Sequence, residues 1–70
     1  MPGKVYQKKE IVGTSTKSFE DAIESAVGQA RKTLKGLAWF EVVEMRGSLA
    51  GKEVEYQVTL KVGYRLLVDA

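Results

Sequence analysis

The feature that most constrains this chain is an unbroken alternation of apolar and polar positions over residues 54–66. The apolar positions are Val54, Tyr56, Val58, Leu60, Val62, Tyr64 and Leu66. A period of two is typical of a strand with one buried and one polar face. Thirteen residues at about 3.3 Å each would span roughly 43 Å, whereas a compact chain of this length is about 30 Å across. We therefore expect the strand to bend near Gly63 and its end to pair with another copy of the chain.

The length and composition of the chain limit how it can be stabilised. Seventy residues predict one domain, residues 1–70, with a small core that self-association commonly supplements. The sequence has no cysteine and no histidine. Disulfide bonds, thiolate metal sites, the usual zinc ligand and the commonest general base are thereby excluded. We predict no metal site and no catalytic residue.

The charge and hydropathy of the chain bear on its partners and location. The net charge is +2, which is too small to indicate nucleic-acid binding. No apolar run approaches the length of a membrane-spanning helix, and no signal-peptide pattern is present. We expect a soluble, cytoplasmic protein that binds neither nucleic acid nor membrane.

Two elements are predicted before the middle of the chain. Residues 4–12 form a first strand whose central lysines suit an exposed edge, and residues 13–16 form a turn. Residues 19–34 carry apolar side chains at helical spacing. Ser18 stands at the N-cap position, and Gly36 stands where a left-handed residue would end the helix.

The alternation fails in the second predicted strand, residues 37–47. Counting by parity places Leu37, Trp39, Val43 and Met45 on one face and Phe40 and Val42 on the other. Both faces are therefore expected to be covered. A short loop joins this strand to the long one, so the two should form an antiparallel hairpin. The order β-α-β-β predicts an α+β fold with one helix packed on a three-stranded antiparallel sheet.

The face occupied by Trp39 depends on the register of that hairpin. If Phe40 and Val42 share the helix-covered face of the long strand, Trp39 lies on the opposite face beside Gln57. The other register buries Trp39 instead, and the sequence permits both. An outward tryptophan is suited to contact with a ligand or a partner, while a buried one would belong to the core or to a subunit interface.

Three further side chains are candidate ligand contacts. The Gln57 amide could hydrogen-bond the imide edge of a heterocycle, although a polar residue on a solvated strand has the same appearance. Arg46 and Arg65 could bind a phosphate through bidentate hydrogen bonds. Solvated or salt-bridged arginines would look alike in the sequence.

Taken together, these stretches resemble the dodecin family of small β-α-β-β flavin-binding proteins, which assemble as hollow dodecamers. The resemblance covers nearly the whole chain in the same order. It rests on the segments KVY (4–6), VGTS (12–15), WFEV (39–42), RG (46–47), YQV (56–58) and VGYR (62–65).

The resemblance implies a function and assigns residues to it. Trp39 would stack on the isoalloxazine ring, Gln57 would hydrogen-bond the polar edge of that ring, and Arg46 and Arg65 would lie near the phosphate of FMN. Two flavins would stack between symmetry-related tryptophans in a homododecamer, with FMN, riboflavin or FAD as ligand and coenzyme A as a further one. The implied role is flavin storage and photoprotection, without enzymatic turnover.

Three rival hypotheses remain at this stage. One is a small flavoenzyme, which would need an open ring face and an acid-base group. Another is a structural oligomer or interaction module in which Trp39 is an interface anchor. The third is a nucleic-acid binder with bases stacked on Trp39.

Overall fold

The structure is a computed structural model and describes residues 3–66. Its elements follow the predicted order: β1 (Tyr6–Ser15), α1 (Phe19–Thr33), β2 (Leu37–Ser48) and β3 (Glu55–Arg65). The strands form one antiparallel sheet in the order β1-β3-β2, so the long C-terminal strand lies in the centre. The predicted fold class, the hairpin and the edge position of the first strand are confirmed.

Helix α1 begins and ends close to the predicted residues. The Ser18 hydroxyl accepts a hydrogen bond from the Asp21 backbone N–H at 3.0 Å, which is the expected N-cap contact. The helix ends at Thr33 with Leu34 as its C-cap. Gly36 has a positive φ of 75° as anticipated, but it shapes the turn into β2 instead of ending the helix.

Strand β1 begins at Tyr6 instead of residue 4 and runs to Ser15 instead of residue 12, so the turn expected at residues 13–16 is wrong for residues 13–15. Gly13 and Ser15 belong to the strand and pair with Val58 and Tyr56 of β3. A Cβ atom on Gly13 would collide with the carbonyl oxygen of Ala22 and the side chain of Ala26. This glycine therefore marks the close approach of the helix to the sheet, a meaning that glycine can have within a strand.

Strand β2 contains two register shifts, between Leu37 and Trp39 and between Val42 and Glu44. A β-bulge adds one residue and reverses the parity of every residue beyond it. Four apolar residues consequently share the helix side of the sheet: Leu37, Phe40, Val42 and Met45. The parity grouping that placed Leu37 and Met45 with Trp39 is wrong.

The helix covers only part of its side of the sheet. Its alanines Ala22 and Ala26 pack with Val58 and Leu60 of the central strand in the buried core. Beyond β3, Phe40, Val42 and Met45 of β2 remain 47%, 42% and 51% exposed. Strand β2, which was expected to be covered on both faces, is therefore about half exposed on its helix side within one protomer.

The molecule is extended along its strands. Its principal extents are 55 × 20 × 16 Å and its radius of gyration is 14.6 Å, compared with about 11 Å for a compact chain of this length. Strand β3 stays paired through Gly63 on both sides. Within the described part of the chain, no helix is long and apolar enough to cross a membrane.

Candidate functional site

The register of the hairpin places Trp39 on the side of the sheet away from the helix, here called the outer face. Trp39 pairs with Gly63, while its neighbour Phe40 pairs with Val62, which is buried on the helix side. Residues directly opposed across two strands share a face. Of the two registers that the sequence permits, the structure has the outward one, and the indole is 41% exposed.

The Trp39 indole lies against two residues of the outer face. It lies over Gly63, which is buried although it faces away from the helix. Its ring centroid is 5.0 Å from that of Tyr6, with the two planes tilted by 53°. Tyr6 reaches this position because it pairs with Arg65, two residues beyond Gly63. Trp39, Tyr6, Gly63 and Arg65 therefore define one end of the outer face, which we call the aromatic end.

An ion pair crosses the sheet beside the aromatic end. Lys8 of β1 reaches over the central strand to Glu41 of β2, with 2.7 Å between Nζ and Oε1. The hydrogen bond from the Lys8 ammonium, followed by its charge, lowers the pKa of the Glu41 carboxyl below its ordinary value. Both side chains are about half exposed, so solvent weakens the attraction.

A second group of polar side chains lies towards the hairpin loop. Arg46 Nε donates a hydrogen bond to Gln57 Oε1 at 2.8 Å, and Gln57 Nε2 donates to Glu55 Oε1 at 3.0 Å. These contacts hold the Gln57 amide in one orientation. An amide has two N–H donors and two acceptor lone pairs, and the two bonds use one of each. We call Arg46, Gln57 and Glu55 the amide end of the outer face.

The four predicted site residues fall into two separate pairs. Trp39 and Arg65 belong to the aromatic end, and Arg46 and Gln57 belong to the amide end. Gly63 and Gln57 are six positions apart on β3, which corresponds to roughly 20 Å along a strand. The three fused rings of a flavin are shorter than that. Trp39 and Gln57 therefore lie at different ends of the outer face within one protomer.

Sequence reasoning missed Tyr6 and missed the contact between Gly63 and Trp39 in this site. Tyr6 could be placed beside Trp39 only through the register of β1, which its own residues do not reveal. Gly63 did carry a signal, because a glycine inside a strand marks a bend or a close approach. The structure shows such a close approach at Gly63, by the Trp39 indole; the bend expected there stays a prediction.

Comparisons with known proteins identify the family. A family model described as Dodecin matches residues 5–67. A dodecin of Thermus thermophilus is 57% identical over 65 residues, which cover 91% of this chain and 94% of that protein. The chain belongs to the dodecin family. The resemblance inferred from the sequence is thereby confirmed.

Solved structures agree with the fold. A crystal structure of a Thermus thermophilus protein has a TM-score of 0.88 and 54% identity, covering 96% of this chain and 100% of its own. A dodecin structure from Streptomyces coelicolor has a TM-score of 0.89 and 40% identity, covering 99% and 100%. Family membership brings the general character of dodecins, which are small, self-assembling, flavin-binding proteins.

Residues 3–66 contain no cluster of three or more acidic side chains that could hold an ion.

Proposed function

We propose that this protein stores and shields flavin in a homododecamer, with the isoalloxazine ring stacked on Trp39. The observation that carries the proposal is the exposed indole at the aromatic end of the outer face. Stacking on an aromatic plane contributes about 0.5–1.5 kcal/mol beyond the burial of surface. The proposal treats residues 1–70 as one domain and keeps the predicted cytoplasmic location.

The separation of Trp39 from Gln57 favours a site shared between copies. In this proposal a neighbouring protomer brings its amide end to the aromatic end of the first, so that one flavin contacts both residues. Two flavins would then stack between symmetry-related tryptophans. An assembly is supported independently by the bare apolar side chains of β2, since large exposed apolar patches mark interaction surfaces.

The amide end supplies the polar contacts in this proposal. Gln57 would bond the imide edge of the ring with the donor and acceptor that Arg46 and Glu55 leave. Arg65 and Arg46 would lie near the phosphate of FMN, where a guanidinium can bind two oxygens at once. Riboflavin or FAD remain alternative flavins, and coenzyme A is retained as a further ligand without an assigned site.

Binding fits these residues better than turnover. A ring stacked between an indole and a second flavin has neither face open to a substrate, and hydride transfer needs such a face. An electron-rich indole in van der Waals contact would quench the excited flavin, which is the basis of the photoprotective role. We therefore propose a binding protein and not an enzyme.

A fluorescence titration of FMN, run beside a native mass measurement, tests the proposal. Strong quenching that saturates at about one flavin per chain on a dodecamer is expected. Trp39→Ala should weaken binding and restore flavin fluorescence while the dodecamer persists, because the change removes the stacking plane and leaves the apolar side chains on the helix side of β2.

Three outcomes would overturn the proposal. Unquenched FMN with wild-type protein would remove the stacked site altogether. Dissociation of the dodecamer in Trp39→Ala would instead identify Trp39 as an interface anchor in a structural oligomer, the alternative function. Reoxidation of bound flavin that depends on an added substrate would favour a flavoenzyme.

A further inference from the structure

Gly63 is covered by the face of the Trp39 indole. A Cβ atom built on Gly63 would lie under 3.0 Å from the indole carbons Cδ2, Cε2 and Cζ2 of Trp39. An atom so close to three bonded ring atoms can lie only above or below the ring plane. One of the two indole faces is therefore committed to the backbone of β3.

Tyr6 contacts the same indole from the neighbouring strand. Its ring centroid lies 5.0 Å from that of Trp39, at an angle of 53°, a tilted arrangement that aromatic pairs favour. The indole is thus supported by the central strand beneath it and by Tyr6 of β1 beside it. Both contacts come from elements other than β2, which carries Trp39.

From these contacts we infer that Gly63 and Tyr6 are positioning residues for Trp39. Gly63 lets the indole lie against the sheet, and Tyr6 limits its rotation, so that a single face is presented outward. The part of this inference that concerns the ligand rests on the proposed function. Because only one face of the Trp39 indole is presented outward, each chain stacks on one planar heterocycle.

Gly63→Ala tests the support beneath the indole. The added methyl group must displace the ring, so the emission of Trp39, the only tryptophan of the chain, should change in the ligand-free protein. FMN affinity should fall by roughly two- to tenfold, the loss expected for one aromatic contact. Native mass should show the same assembly as the wild type.

Gly47→Ala is the matched control. Gly47 also lies in a strand, but a Cβ there would meet its nearest atoms at 3.5 Å, an ordinary contact. This variant should leave both the emission and the affinity unchanged. The inference is overturned if Gly63→Ala also preserves both.

Tyr6 is tested by two substitutions. Tyr6→Phe keeps the ring and should retain the wild-type emission and FMN affinity. Tyr6→Leu removes the ring and should alter the emission and weaken binding. If Tyr6→Leu and Tyr6→Phe have the same Trp39 emission and the same FMN affinity, the Tyr6 ring does not position Trp39.

A double-mutant cycle on the ligand-free protein separates this inference from the proposed function. Gly63→Ala should cost less free energy of unfolding in a Trp39→Ala background, because the methyl group then has no indole to displace. If Gly63→Ala alone does not fold, folding of the double variant gives the same answer. An equal cost in both backgrounds overturns the inference. An unequal cost together with no FMN binding overturns the proposed function only.

Discussion

The Lys8–Glu41 ion pair joins the two edge strands across the centre of the sheet. Lys8 lowers the pKa of Glu41 in the folded protein, and this lowering determines how the ion pair makes stability depend on pH. A carboxyl group with a lowered folded pKa stabilises the protein at pH values above its unfolded pKa. This contribution is lost as the pH falls through the folded pKa.

Lys8→Gln should therefore return the pKa of Glu41 towards its ordinary value and remove this part of the acid sensitivity. An NMR titration of the Glu41 carboxyl measures the first effect, and thermal unfolding between pH 3 and pH 7, roughly the window around an ordinary glutamate pKa, measures the second. Lys52→Gln in the exposed hairpin loop is the control. An unchanged pKa of Glu41 in Lys8→Gln would contradict the prediction.

The structure groups the four candidate site residues in a way that the sequence did not predict. Trp39, Gln57, Arg46 and Arg65 all stand on exposed or half-buried positions of the strands, as the outward register requires. Their division into an aromatic end and an amide end was not predicted. It depends on which residue of β2 faces which residue of β3, and two bulges set that.

The contact between helix and sheet depends on small side chains at one crossing. Gly13 of β1 leaves room for the carbonyl of Ala22 and the methyl group of Ala26. The side chains Ala22 and Ala26 are almost fully buried there. The helical spacing in the sequence predicted the apolar stripe to which these alanines belong, while the matching glycine was taken for a turn.

Gly13→Ala should lower the free energy of unfolding by about 1–3 kcal/mol, since overpacking a close contact forces the backbone to shift. Chemical denaturation of the variant measures the change. Gly28→Ala is the opposite control, because a Cβ at this helical position meets nothing within 4 Å. There, alanine should be neutral or stabilise the helix by up to about 1 kcal/mol. Equal effects of the two substitutions would contradict the close approach at Gly13.

At the scale of the whole molecule, one protomer leaves much of β2 without cover. Phe40, Val42 and Met45 are exposed beside the helix, and Trp39 is exposed on the outer face. A core that consists mainly of small helix residues and three central-strand side chains is limited for a chain of this size. Burial of β2 between copies would therefore add to the small buried apolar surface of the single protomer.

Phe40→Glu should reduce the assembly to smaller species, because a carboxylate would have to be desolvated among apolar side chains. Native mass spectrometry of the variant measures this. Gln29→Glu introduces a charge at an exposed helix position and should leave the mass unchanged. A full-size assembly in Phe40→Glu would show that this face of β2 is not an interface.

Local patterns in the sequence determined the elements of this protein and their order. The alternation at residues 54–66, the helical stripe with its Ser18 cap and the short hairpin connection each depend on neighbours in the chain, so they can be read without a structure. The fold class followed from them, and the family resemblance agreed with it.

Only the tertiary structure decided what depends on pairing between distant residues. A bulge shifts the parity of a strand by one residue without a distinct sequence signal. The face on which each β2 side chain lies is therefore known only from the pairing of β2 with β3. The registers of β1 and β2 against β3 brought Tyr6 to Trp39, laid the indole over Gly63 and set Gln57 apart from both. These contacts join three strands, and strand pairing is decided by the packing of the whole sheet.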